Sequence, residues 1–203
     1  MPAMTVSPMQ EFFYYDYKTG EYAPSQRPKF ASIEAAKSID DPAKRLKAVI
    51  TGADTAARFA WTNLRDTLIY TYNRIPEIAD DIVNIDNAMK WGFNWELGPF
   101  EMLDAIGVAY FVERAEKDGL QIPAGMRAIE SFYKFENGRN YYFSILDNKY
   151  REVQQKPEHI SLSILKRNNK VLEKNSGASV IDLGDGVFCL EFHTKMNAIG
   201  GDI

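Results

Sequence analysis

Ile85-Asp86-Asn87-Ala88-Met89-Lys90-Trp91-Gly92-Phe93-Asn94-Trp95-Glu96-Leu97-Gly98-Pro99-Phe100-Glu101-Met102-Leu103-Asp104-Ala105-Ile106-Gly107 decides the fold. Ile85 to Trp91 reads as a helix stopped by Gly92, and an exposed Trp-rich turn follows. Gly98-Pro99 opens a second helix that ends at Gly107. Proline suits a first helical turn because its missing N–H would be orphaned there, and glycine suits helix ends. Asp86 and Asp104 are placed to cap or hydrogen-bond turns. By spacing, nothing in the stretch is a nucleophile or a general base.

Upstream, the pattern stays helical. Asp41-Pro42 is a helix start, and the helix from Ala43 to about Thr51 ends at Gly52. Asp54 caps a longer helix to about Asn73, with Ala57, Ala60, Trp61, Leu64, Leu68 and Tyr72 at spacings of three and four. Ile75-Pro76 breaks it, and a further helix is expected from Pro76 to about Val83. Downstream, Val108 to Lys117 is helical and Gly119 ends it. Joints this short suit antiparallel helix packing.

A weak internal repeat brackets the helices. Pro2-Ala3, Phe12-Phe13-Tyr14-Tyr15-Asp16-Tyr17-Lys18-Thr19-Gly20-Glu21-Tyr22 and Arg27-Pro28 form one copy. Pro123-Ala124, Phe132-Tyr133, Tyr141-Tyr142-Phe143-Ser144-Ile145-Leu146-Asp147-Asn148-Lys149-Tyr150 and Lys156-Pro157 form the other, at an offset of roughly 125 residues. Each is an aromatic hairpin with a polar turn. The tyrosines are expected to pack on the helical domain. Beyond Pro157, Ile160 to Lys166 is a strand or a short helix, and the polar 168–177 region reads as a linker. Ser179 to Leu183, Gly184-Asp185-Gly186 and Val187 to His193 form a β-hairpin. Two strands alone are marginal in water, so it looks like the opening of a larger domain.

The bulk numbers exclude several classes. The 203 residues are 45% hydrophobic and 26% charged, with net charge −4, so no basic footprint for nucleic acid exists. No apolar run approaches a membrane span, and the first residues lack a signal-peptide pattern, which makes the cytoplasm the default. A single cysteine, Cys189, allows no internal disulfide and reads as a small core residue. His159 and His193 have no metal-ligand spacing. Asp80-Asp81 and Glu101/Asp104 read as solvated faces or caps.

The 85–107 stretch resembles the signature of the helical C-terminal domain of 3-hydroxyacyl-CoA dehydrogenases: Ile85-Asp86, Ala88-Met89, Gly92-Phe93, Gly98-Pro99-Phe100, Asp104 and Gly107. Val180 to Asn197 resembles the start of an enoyl-CoA hydratase (crotonase) domain, through Leu183-Gly184-Asp185-Gly186-Val187 and Lys195-Met196-Asn197-Ala198. This order of units is similar to that of long bifunctional β-oxidation proteins.

The resemblance implies a mainly α fold: a compact helical dehydrogenase C-terminal-type domain, flanked by aromatic β-hairpins and ending in a truncated crotonase-like hairpin. The division is 1–28 hairpin connector, 29–128 helical domain, 129–175 second connector and linker, and 176–203 hydratase start. It also implies that the chain walls an acyl-CoA cleft beside a dinucleotide-binding domain lying elsewhere. NAD would serve the parent protein and no cofactor would be bound by this chain. The His and Glu of the dehydrogenase chemistry belong to that other domain, so no catalytic residue is assigned here. Asn63 stands near the position of a substrate-side Asn in the family, although Leu64 follows it where the family has Arg. Lys195, Met196 and Asn197 correspond to the CoA-side segment of crotonases. Acyl-CoA, the dinucleotide-binding and crotonase domains, and a second copy packed through the helices are the expected partners. A stand-alone, non-catalytic dimerisation module is the alternative.

Overall fold

A computed structural model describes residues 12–25, 28–155, 158–201 and 203. Pro2-Ala3, Arg27, Lys156 and Pro157, which entered the repeat, lie outside them. Seven α-helices and three small antiparallel sheets make up the described residues, so the fold is mainly α. None of the helices is long and apolar enough to cross a membrane.

A two-stranded hairpin, β1 (Phe13–Asp16) and β2 (Glu21–Pro24), comes first. Six helices follow: α1 (Ala31–Ala36), α2 (Pro42–Ile50), α3 (Thr55–Asn73), α4 (Ile82–Phe93), α5 (Pro99–Ile106) and α6 (Val108–Lys117). The N-caps of α2, α3 and α4 are carboxylates. Asp41 accepts from Lys44 N at 2.8 Å, Asp54 from Ala57 N at 2.9 Å and Asp81 from Asn84 N at 2.8 Å. Asp54 also accepts from the backbone N–H and the hydroxyl of Ser32, each at 2.8 Å, and so ties α1 to the start of α3. No sequence signal announced α1; it is a short helix held by this contact.

Two helix boundaries differ from the expectation. Arg74 to Ile78 form turns, and no helix runs from Pro76 to Val83. The helix starts at Ile82 because Asp81 caps it there and because Ile82 and Ile85 must face the core. Gly92 does not stop α4. The helix passes through it and ends at Asn94, whose left-handed backbone (φ 55) closes the last turn. Gly92 faces open space, so its missing side chain leaves no gap.

The core joins Trp61, Leu68 and Tyr72 of α3, Phe100, Leu103 and Ile106 of α5, and Phe111 of α6. It continues without a break through Ile122, Met126, Ile129 and Phe132. Trp61 packs edge-on against Phe111, stacks under Arg114 at 4.1 Å, and donates its indole N–H to Asp118 at 2.6 Å. Asp118 also pairs with Arg65 at 2.7 Å, which closes α3 onto the end of α6.

Beyond Phe132 lies a three-stranded sheet: β3 (Tyr133–Glu136), β4 (Arg139–Ser144) and β5 (Lys149–Glu152). The expected second hairpin is β4–β5. β3 is an addition, turned by Asn137-Gly138, both at positive φ. Tyr133, Tyr142, Phe143 and Ile145 pack on the helical core. The aromatics of the first hairpin do not: Tyr14, Tyr15, Tyr17 and Tyr22 are exposed.

The C-terminal unit has a helix, α7 (Leu162–Arg167), and a sheet of β6 (Val171–Lys174), β7 (Ala178–Gly184) and β8 (Val187–Phe192). Part of the expected linker is therefore the strand β6, pairing Val171 with Ile181 and covering one edge of β7. Ile181 is fully buried, so β7 needs cover on both sides, and the final hairpin is not a lone pair of strands.

Candidate functional site

The 85–107 stretch acquires a physical meaning around Asp86. Gly98 is the N-cap of α5 and has no side chain with which to satisfy the first free amides of that helix. Asp86, on the neighbouring helix, does it instead. Its carboxylate accepts from Phe100 N at 2.9 Å and from Glu101 N at 3.1 Å. These are the amides that an N-cap side chain ordinarily serves. Any larger residue at position 98 would collide, because a Cβ there would lie 2.3 Å from Asp86 Cβ. Glu101 completes the cap by accepting from Gly98 N at 2.8 Å, and it pairs with Lys90 at 2.6 Å.

Tyr133 O–H donates to the same Asp86 carboxylate at 2.8 Å. At the other end of α5, Asp104 accepts from Phe132 N at 2.6 Å and Tyr133 N at 2.7 Å. Asp104 is thus a half-buried clamp on β3, in keeping with its reading as a group that hydrogen-bonds a turn and not with the alternative of a solvated face. Burial pushes the Asp86 carboxyl up to about 7, against the pull of its amide and phenol donors. Burial also raises Asp104 and the Tyr133 phenol. Gly107, at φ 94, turns the chain from α5 into α6. Asp86, Gly98, Pro99, Phe100 and Asp104 converge on α5, whereas Gly92 stands apart on the exposed side of α4.

An open groove of about 790 Å³ lies between α1 and α2 on one side and α3 on the other. The α4–α5 connection, Asn94 to Leu97, forms its lip, and Met102 of α5 forms its floor. Ile33, Leu46, Val49, Ala60 and Leu64 make the walls apolar. Asn63 lines it and is exposed, with its amide N–H donating to Phe59 O at 2.9 Å. Arg45 ties α2 to the lip through an ion pair with Glu96 and donates to Ile39 O at 3.1 Å. The volume suits a small-molecule site, and the lining suits an alkyl or acyl chain with a few polar groups at its rim. Residues 51 apart in sequence, such as Arg45 and Glu96, carry no joint signal in a linear reading; the Trp95 turn was the visible part.

Lys195, Met196 and Asn197 form a short 3-10 turn after β8, with Met196 and Asn197 at positive φ, and Lys195 is described in its backbone only. Met196 and Asn197 are not among the residues that line the groove, so the structure does not bring them together with Asn63 there. Among the described residues no group of three or more His, Cys, Asp or Glu could hold a metal ion. The Gly184-Asp185-Gly186 turn is not a pyrophosphate loop. Asp185-Gly186, both at positive φ, close the β7–β8 hairpin, and a strand follows where a pyrophosphate site needs a helix N-terminus.

Fold and groove together define a mainly α domain with an open, largely apolar groove. The chain is related to the 3-hydroxyacyl-CoA dehydrogenases. Over 193 residues it is 45% identical to a "Probable 3-hydroxyacyl-CoA dehydrogenase" of Bacillus subtilis (strain 168), spanning 93% of this chain and 24% of that protein. It is 22% identical over 176 residues to a "Putative fatty acid oxidation complex trifunctional enzyme" of Rickettsia felis, spanning 85% of this chain and 21% of that protein. The chain therefore spans about a quarter of the length of the curated relatives it matches. No family model and no solved structure matches it.

Proposed function

We propose that this chain is the helical acyl-CoA-cleft portion of an NAD-dependent 3-hydroxyacyl-CoA dehydrogenase of fatty-acid β-oxidation, in a parent that also carries an enoyl-CoA hydratase domain. The relationship to the Bacillus subtilis protein carries this reading, and the apolar groove with Asn63 at its rim supports it. NAD supplies hydride chemistry in the dinucleotide-binding domain of the parent. This chain supplies an apolar wall for the acyl part of the substrate and packs against its neighbours. Taken alone, it has no turnover.

Titration with acyl-CoAs of increasing chain length tests the proposal, with Trp95 at the groove lip as the fluorescent reporter and Trp95→Phe as the assignment control. The expected result is a Trp95 signal whose midpoint falls as the acyl chain lengthens. No signal at millimolar acyl-CoA rejects the cleft role, and acetoacetyl-CoA-dependent NADH oxidation by the pure chain rejects its inactivity.

A second reading has its own observation. Phe59, Trp91 and Phe93 are large, apolar and more than two-thirds exposed, which favours self-association through the helices. Light scattering at high concentration separates a dimerisation module from a monomeric cleft wall.

A further inference from the structure

The groove has one side that can give way and one that cannot. Its lip, Asn94 to Leu97, runs between two helices, and its tie to α2 is the ion pair of Arg45 with the exposed Glu96. A pair so open to water holds weakly.

The floor is built differently. α5 packs against both α2 and α3, and Met102 is the α5 residue that lines the groove. That helix is pinned at both ends. Asp86 serves the amides of Phe100 and Glu101 in its first turn, and Asp104 accepts from Phe132 N and Tyr133 N near its last. Phe100, Leu103 and Ile106 fill the core behind it with no exposure at all, and Ile50, at the edge of the groove on α2, has none either. A backbone held in this way cannot sink, and a close-packed core has no room for a longer ligand.

Met102 is half-buried and packs on that core. Its side chain is unbranched and ends in an adaptable thioether, so it is the one part of the floor that yields.

We propose that Met102 is the stop of the groove: the terminal methyl of a straight acyl chain rests on its thioether, and the reach of that side chain sets the longest acyl group held. This rests on the reading of the groove as an acyl cleft.

Titration of the native chain with even-numbered straight-chain acyl-CoAs, butanoyl to hexadecanoyl, should show affinity rising about fourfold per methylene up to one length and then level. Met102→Ala removes the thioether and its methyl. It should move that break to the next even-numbered homologue and tighten binding of that homologue about tenfold. Met102→Leu, of similar volume, should keep the native break. A break that Met102→Ala leaves in place overturns the stop alone, and so does a uniform loss at every length. No length dependence in the native chain rejects the acyl cleft itself and the stop with it. Peroxide labelling of the native chain, read at Met102 by peptide mass spectrometry, decides the matter if Met102→Ala does not fold. An acyl-CoA at the break should slow sulfoxide formation there about fivefold and butanoyl-CoA should leave it unchanged; equal rates overturn the proposal.

Discussion

The Tyr133 hydroxyl donates to the Asp86 carboxylate at 2.8 Å, joining strand β3 to helix α4 across 47 residues. The same carboxylate caps α5, so one buried side chain holds three elements. Asp86→Ala leaves two amides and a phenol without a partner. It should destabilise the chain by about 3 kcal/mol in urea unfolding, whereas Tyr133→Phe should lose only about 1 kcal/mol. Equal losses would mean that the cap contributes nothing beyond the phenol bond.

Gly98 and Gly92 should respond to alanine with opposite signs. Gly98→Ala drives a Cβ into Asp86 and should cost about 2–3 kcal/mol. Gly92→Ala meets nothing within 4 Å inside a helix and should stabilise by about 0.5–1 kcal/mol. Paired thermal melts decide it, and a destabilised Gly92→Ala would contradict the open environment described for that position.

The pH dependence follows from the same carboxylate. Its value lies near 7 in the folded chain against 3.8 for the free group, so between those limits the folded chain holds a proton that the unfolded chain has lost. Stability is therefore highest at the acid end of this window and falls as pH rises through it, by at most about 1.4 kcal/mol per pH unit for one proton. Asp104, also raised by burial, acts in the same direction. Asp54, lowered by its Ser32 and Ala57 amides, and Asp118, lowered by Trp61 and Arg65, act with the opposite sign at lower pH. Urea midpoints at pH 5 and pH 7.5 should show the native chain weaker at the higher pH and Asp86→Asn falling by less, the remainder being the share of Asp104. The same fall in both would assign the effect elsewhere.

Groove occupancy should scale with acyl length, because each buried methylene contributes about 0.8 kcal/mol, roughly fourfold in affinity. Ala60→Trp fills the wall and should abolish that gradient while leaving the melting midpoint near its native value. An unchanged gradient would place the acyl chain outside the groove.

Much of this was legible in the sequence because it is local. The Asp41 and Asp54 caps, the Pro99 helix start, the Asp185-Gly186 turn and the apolar stripe of α3 each follow from neighbours in the chain. Even the wrong end of α4 was a local contest, in which Asn94 outweighed Gly92. What escaped was non-local. The cap of α5 sits on α4, the groove is shared by α1, α2, α3 and a loop, and β6 forms only because β7 needs an edge partner. Asn63 was singled out on family likeness, and its place on the groove wall depends on helices that no spacing rule connects to it.

The lip of the groove is the segment between α4 and α5, and Asp86 ties the start of α5 back to α4. Tyr133 braces that carboxylate from a strand that lines no part of the groove. The entrance is thus braced by a sheet that takes no part in the groove. A piece cut to keep every groove residue but ending before the sheet would retain the walls and slacken the doorway.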